Sequence, residues 1–456
     1  MASLKKLPAN KPALNKKASL SQQLQAFLAD VFLSRSLAYP KLVLAYSGGL
    51  DSCVLLHLLV QVNKNLPFQL HAQHVHHGLS TNADLWADAC ADICKKLNVP
   101  LTVSKVHIKN TGLGLEATAR KARYDELMQT DTDFILLAHH QDDQAETFLL
   151  QLARGAGVKG LAGMAAVNDA WLRPLLDVPR RALLDYAKQH RLNWVEDESN
   201  VDTKFDRNFI RHEVLPILTK QYLAISQTIS RSARHMAEAN ALLDEIAALD
   251  VQACSAGKQL NLHSLRQLSS MRIHNALRWW LLQNQCNLPS TAQLNQISQQ
   301  LFFAKTDAAV KIKVSATHTL RRFCDCAFLL AEIETMPAMN LLWQGEQAVC
   351  LPDESRLIFT QTIGQGFAFK REPNIKLRIQ YRQGGERFRP DLGRPSRSLK
   401  TILQNGNIPP WQRAQLPLIF MDEILVMIPS IDQNAIVDAH YQAKEDEQGL
   451  LVSWQL

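Results

Sequence analysis

The amino-acid order predicts an α/β fold: a doubly wound parallel-sheet domain, then a mainly helical region, then a small mixed α+β C-terminal domain. Three observations carry this. Residues 40–200 alternate short apolar runs with segments of helical periodicity. From about 205 to 305 strand signals give way to 3.6-type spacing. From about 306 the chain turns to short β-like runs punctuated by Pro and Gly.

The elements follow in order. Leu42–Tyr46 reads as a buried parallel strand and Cys53–Leu59 as the helix after it. Phe68–His77 is strand-like and Ala83–Leu97 helical; Leu101–Ile108 is strand-like and Leu115–Gln129 helical. Asp133–His139 is strand-like and Gln144–Ala153 helical. Val214–Leu218, Ala237–Ala248 and Arg272–Leu282 carry helical apolar spacing. Val310–Val314, Phe328–Ile333 and Ile375–Tyr381 are the clearest later strands. The expected modules are a basic, flexible extension at 1–39, a catalytic α/β domain at 40–215, a mainly helical domain at 216–340 and a C-terminal domain at 345–456.

Composition narrows the function classes. The chain has 456 residues, 46% hydrophobic and 20% charged, as a multidomain globular protein requires. No apolar run approaches the length of a membrane span, so none is expected. The first twenty residues carry five lysines, no acid and no apolar core. Eight scattered cysteines without a C-x-x-C pair favour reduced thiols over a disulfide framework. Residues 376–413 hold nine Lys or Arg against Glu386 and Asp391, an excess that matches the whole net charge of +7. A basic segment so concentrated suggests a polyanionic partner.

In open α/β sheets, ligands bind at the carboxyl ends of strands. Ser47-Gly48-Gly49-Leu50-Asp51-Ser52 lies at one such end and opens a helix. Its glycines let backbone N–H groups approach phosphate oxygens, and the helix start adds partial positive charge. It is neither a Walker A loop nor Gly-x-Gly-x-x-Gly. His139-His140-Gln141-Asp142-Asp143-Gln144-Ala145-Glu146-Thr147 begins at another strand end. Such a cluster can hold Mg²⁺ or grip an amine, although acids there also suit the helix dipole. His71, His74, His76 and His77 lack a Cys or Glu that would complete a tetrahedral zinc set. Arg120 and Arg123 share one side of a helix, either as exposed cations or as phosphate ligands. Arg154–Met164 is glycine-rich, as a mobile loop or a plain connection would be. Glu196-Asp197-Glu198 precedes Arg207 and Arg211, as in an ion-pair network or a substrate site.

The hexapeptide Ser47–Ser52 resembles the PP-loop of ATP pyrophosphatases, which cleave ATP between the α and β phosphates. The ordered set His76-His77-Gly78-Leu79, Gly114–Tyr124, His139–Thr147, Arg154–Met164 and Glu196–Arg211 is more specific. With Pro409-Pro410-Trp411-Gln412-Arg413 it resembles the tRNA(Ile)-lysidine synthetase family from about residue 40 onward. That resemblance implies ATP-dependent ligation of lysine to C2 of the wobble cytidine of a CAU-anticodon isoleucine tRNA. An adenylated cytidine is the intermediate, and decoding changes from AUG to AUA. It implies ATP and Mg²⁺ as cofactors, free L-lysine and that tRNA as partners, and a cytoplasmic location. Homodimer or monomer is left open.

By the same resemblance Ser47, Gly48, Gly49, Leu50, Asp51 and Ser52 bind ATP, and Asp51 holds the metal. Asp51, Asp142 and Arg120 are the expected catalytic residues. Asp142, Asp143, Glu146 and His139 would bind the lysine. Arg207, Arg211, Arg387, Arg389, Arg397, Lys400 and Arg413 would bind the tRNA. The rival readings are another PP-loop tRNA-modifying enzyme such as a cytidine thiolase, and a non-catalytic RNA-binding protein. A thiolase usually carries a C-x-x-C cluster, which this sequence lacks.

Overall fold

Short strands, the central ones apolar and buried, alternate with helices through the first half of the chain. The computed structural model describes residues 18–78, 80–106, 115–196, 198, 202–287, 289–305, 308, 310–331, 338–368, 376–393, 395–430 and 433–455. Leu79, Gly114, Asp197, Ser199, Asn200, Arg394 and residues 1–17 of the basic extension therefore lie outside the described residues. The rest of the segment expected to be flexible, 18–39, instead holds a helix, Leu20–Ser34, whose Leu24, Leu28, Val31 and Phe32 join the core. The chain divides into two units, Met1–Leu243 and Asp244–Leu456.

In the first unit α1 (Leu20–Ser34) precedes β1 (Lys41–Ala45), α2 (Leu50–Val62), β2 (Gln69–His76), α3 (Ala83–Lys96) and β3 (Leu101–Lys105). Then come α4 (Leu115–Met128), β4 (Phe134–Leu136), α5 (Gln141–Ala153) and α6 (Val158–Leu161). A short hairpin, β5 (Val167–Asn168) and β6 (Trp171–Leu172), leads to α7 (Arg180–Gln189). The last elements are α8 (Asp206–Phe209), a π-helical turn at Ile210–Val214, α9 (Leu215–Gln221) and α10 (Ile225–Cys254), within which the division falls. The sheet order is β3-β2-β1-β4-β6-β5, parallel except for the edge pair β5–β6.

Alternation along the strands assigns the two faces. Leu42, Leu44, Leu136 and Leu172 face a core shared with α1, α2, α3 and α7. Val43, Val75, Ile135, Leu137 and Trp171 face the other way and pack with Leu127 of α4. Helices thus cover both faces, as the alternating pattern predicts.

The second unit begins with β7 (Ser255–Ala256), β8 (Gln259–Asn261), α11 (Leu262–Leu265), α12 (Ser270–Gln283) and α13 (Thr291–Phe303). β9 (Lys311–Lys313), β10 (His318–Phe323) and β11 (Cys326–Ala331) complete a five-stranded sheet in the order β7-β8-β11-β10-β9. The region 216–340, read as mainly helical, therefore carries a sheet as well as its helices. β7, β8 and β9, of two or three residues, are too short to give a period-two signal, whereas the strand-like runs Val310–Val314 and Phe328–Ile333 overlap β9 and β11.

The remaining strands are β12 (Asn340–Trp343), β13 (Ala348–Cys350), β14 (Arg356–Ile363), β15 (Leu377–Tyr381), β16 (Arg387–Phe388) and β17 (Arg397–Ser398). After α14 (Leu399–Asn405) and α15 (Pro410–Arg413) come β18 (Pro417–Met421), β19 (Ile424–Ser430), β20 (Gln433–Val437) and β21 (Gln448–Gln455). Eight of these form an antiparallel sheet, β12-β15-β18-β19-β20-β21-β14-β13, around Phe359, Ile379, Phe388 and Trp454. Among the described residues no helix is long and apolar enough to cross a membrane.

Candidate active site

The hexapeptide turns between β1 and α2 as its glycines allow. Gly48 has φ +80°, a left-handed conformation that side chains disfavour. A Cβ there would also lie 2.7 Å from Cys90 Sγ. The turn is braced from below: Cys53 Sγ donates to Gly48 O at 3.2 Å, and Val195 N donates to the same carbonyl at 2.9 Å. Ser47 Oγ and Ser52 Oγ are 3.1 Å apart, and Ser52 Oγ donates to Gly49 O at 2.9 Å. Gly49 is the N-cap of α2 and supplies no capping side chain. Such an uncapped first turn points N–H groups at an incoming anion.

Asp51 sits in that first turn with its side chain 30% exposed. Its Oδ2 is 3.5 Å from His140 Nε2, while Oδ1 is shut off from solvent without a partner. A hard carboxylate oxygen left unpaired beside a phosphate-binding turn suits Mg²⁺, whose other ligands come from phosphates and water.

His140 joins this turn to the acidic motif. It N-caps α5 in a reciprocal box: Asp143 N donates to His140 Nδ1 at 3.4 Å, and His140 N donates to Asp143 Oδ2 at 2.9 Å. Burial opposes a charged imidazole here, but Asp51, Asp143 and Asp142 outweigh it and raise the His140 pKa.

Asp143 and Glu146 are committed to two arginines. Arg207 donates from Nε to Glu146 Oε2 at 2.7 Å and from Nη2 to Asp143 Oδ1 at 2.8 Å. Arg211 donates from Nε to Glu146 Oε1 at 2.6 Å and from Nη2 to Asp143 Oδ1 at 3.1 Å. The Glu146 side chain is 1% exposed. Burial would raise the Asp143 carboxyl, yet the charges of His140 and Arg207 hold it down at about 2. Its stabilising contribution is complete above the ordinary carboxylate value near 3.8 and is lost as pH falls toward 2. The resemblance assigns Asp143 and Glu146 to lysine and Arg207 and Arg211 to tRNA; in the structure the four side chains hydrogen-bond to one another.

Asp142, between these groups, is half-buried and has no ion pair among the described residues. His139 at the end of β4 has Nδ1 buried without a partner. Burial, reinforced by Arg207, Arg173 and Arg120 and opposed by Asp143, lowers the His139 pKa to about 3, so the ring is neutral. On α4, Arg120 is exposed and its Nη2 donates to Tyr124 Oη at 3.2 Å. Arg123 has Nε buried and unpaired. The glycine-rich segment is clasped to α5: Gln144 Nε2 donates to Met164 O at 3.0 Å and Met164 N to Gln144 Oε1 at 2.8 Å. His74 Nδ1 lies 2.9 Å from Tyr46 O and so supports the phosphate turn.

Two features of the site lie beyond what the sequence shows. His140 belongs to the strand-end cluster, but its approach to Asp51 joins two motifs far apart in the chain. Arg173, which follows β6, is buried with Nε unpaired. Nothing in a two-residue strand marks it as a strand end.

The C-terminal cations separate by exposure. Arg397 and Lys400 are exposed, as is Arg387, whose Nη2 donates to Ser396 O at 2.8 Å. Arg389 is half-buried, with Nη1 2.7 Å from His440 Nε2. Arg413, expected on the tRNA, is 7% exposed; it donates from Nε to Ile408 O at 2.6 Å and lies over the Phe323 ring. That inward guanidinium fastens its own unit.

Three family profiles match in chain order: a PP-loop domain over residues 16–218, a TilS substrate binding domain over 260–328 and a TilS substrate C-terminal domain over 377–454. The chain is similar to tRNA(Ile)-lysidine synthase of Nitrosomonas europaea, 40% identical over 426 residues, covering 91% of this chain and 92% of that one. It is also similar to the protein of that name from Coxiella burnetii, 38% identical over 90% of this chain and 92% of that one. A third, from Aromatoleum aromaticum, is 37% identical over 91% and 97%. A phosphate turn facing an acid-rich helix start, three profiles in order and these relatives place the chain in the tRNA(Ile)-lysidine synthase family.

Proposed function

We infer that the protein is a carbon–nitrogen ligase that joins lysine to C2 of the wobble cytidine of CAU-anticodon tRNA(Ile), converting ATP to AMP and diphosphate. The observation that supports this best is the meeting of Asp51, in the phosphate turn after β1, with the His140–Asp143 helix cap after β4, the neighbouring strand.

The chemistry needs two steps. The cytidine O2 attacks the α-phosphorus of ATP and diphosphate leaves, turning a poor leaving group into a good one. The lysine ε-amine then attacks C2, the C–O bond breaks and AMP departs with its electron pair. The first-turn N–H groups of α2 and the Ser47 and Ser52 hydroxyls hold the departing phosphates. Mg²⁺, held through Asp51, would neutralise charge developing on those oxygens. Arg207 and Arg211 fix the Asp143–Glu146 pair, which leaves Asp142 as the half-buried acid free to accept the ammonium proton.

Asp142→Asn should therefore slow amine attack by about a hundredfold or more and spare adenylation. Single-turnover assays that follow diphosphate release and lysine incorporation separately check this; equal losses would move Asp142 to the nucleotide. Wild-type enzyme with a CAU-anticodon transcript, ATP and radiolabelled lysine should give one AMP per lysine incorporated, and no incorporation would defeat the reading.

The exposed Arg397 and Lys400 give tRNA affinity through phosphates. Reversing either to Glu should weaken binding several-fold and reduce the salt slope by about one. Unchanged affinity and slope in both folded variants would remove this surface from the tRNA footprint.

A further inference from the structure

We propose that Arg173 binds the α-carboxylate of the lysine substrate, with His139 Nδ1 as a second contact, and so selects an amino acid over a simple diamine. The proposal rests on lysine being the amine consumed.

Arg173 is 8% exposed. Its Nη1 donates to Ala165 O at 2.9 Å, which fixes one edge of the guanidinium. Its Nε is buried and has no partner. Among the described residues no carboxylate forms an ion pair with it. A buried guanidinium left this way is costly unless an anion arrives.

The strand register says where that anion sits. Leu136 pairs with Leu172, so Arg173 falls one step beyond, beside the chain leading to His139. Arg173 is two residues after Trp171 and shares its side of the sheet. That side is covered by α4, where the Tyr124 ring lies 4.6 Å from the Trp171 ring. The same helix contributes Arg120 and Arg123. The buried, unpaired Arg123 Nε, His139 Nδ1 and Arg173 Nε therefore all belong to this side of the pocket. The neutral imidazole of His139 offers a hydrogen bond and adds no charge.

Asp142 follows β4, the strand beside β6, so the acid assigned to the ammonium and the Arg173 guanidinium start one strand spacing apart, about 5 Å between backbones, with their side chains adding to the reach. A cation and an acid thus stand within the span of one extended lysine. Nucleotide phosphates are already served by the turn after β1. An RNA backbone phosphate would have to reach a guanidinium that is nearly closed to solvent, whereas a free amino acid is small enough to enter. An Arg–carboxylate pair is also among the stronger charge-assisted contacts.

The test compares L-lysine with 1,5-diaminopentane, which is lysine without its carboxylate. Full-length wild type, Arg173→Gln and Arg173→Lys are assayed with ATP, Mg²⁺ and the tRNA transcript, following AMP formation with each amine and diphosphate release without amine. Wild type should favour lysine. Arg173→Gln should raise the lysine KM by about 30-fold, with diaminopentane kcat/KM and amine-independent diphosphate release within about threefold of wild type. Arg173→Lys should fall between. Equal losses with both amines in either variant, or an unchanged lysine KM, would overturn the proposal. If Arg173→Gln does not fold, Arg173→Lys and the wild-type preference decide, and a wild type indifferent to the carboxylate sinks the idea. Diphosphate release without incorporation of any amine by wild type would instead overturn the assignment of lysine as substrate.

Discussion

Asp51→Ala is expected to reduce AMP formation at least about a thousandfold while leaving the melting temperature near that of wild type. The side chain is 30% exposed and its Oδ1 has no partner, so little of the fold depends on it. Its chemistry is irreplaceable for a different reason: no second carboxylate is placed inside the phosphate turn. Asp51→Asn should lose nearly as much, since it keeps the shape and removes the charge. Circular dichroism and thermal melts establish the fold, and single-turnover diphosphate release measures the chemistry. Turnover within tenfold of wild type in Asp51→Ala would refute the role.

Arg207→Ala should have the largest effect on stability. It strips one of two guanidinium partners from Glu146, 1% exposed, and from Asp143, 10% exposed. Removing one member of a buried ion network leaves charge uncompensated and costs about 3 kcal/mol or more. For a unit of this size the melting midpoint should fall by roughly 6–12 °C. Arg207→Lys should recover only part of this, because an ammonium cannot bridge both acids with a planar fork. Differential scanning calorimetry with ATP absent gives the answer. A variant that melts like wild type but binds tRNA more weakly would return Arg207 to the RNA surface.

How much of this was legible in the sequence depended on the length of the signal. The parallel sheet was readable because β1, β2 and β3 are long and alternate with amphipathic helices. The β5–β6 hairpin was not, and with it went Arg173, whose importance lies in standing at the end of a two-residue strand. The phosphate turn was legible because Gly48 and Asp51 carry their chemistry locally. The fate of Asp143, Glu146, Arg207 and Arg211 was not, because each could face a substrate or one another. Their spacing of four residues puts Arg207 and Arg211 on one helix face, and both meet the same two acids in the structure. Arg413 likewise looked like part of a basic surface, and packing against Phe323 draws it inward.

The contact beneath Gly48 ties nucleotide handling to a helix that meets no phosphate. Cys90 belongs to α3, and its sulfur occupies the place a side chain at position 48 would need. A bulkier residue at 90 would lift the turn from behind, through the same gap that a Cβ at 48 would crowd. Genetic lesions along α3 can therefore masquerade as lesions in ATP recognition, and a survey of variants sorted by distance from the nucleotide would misfile them.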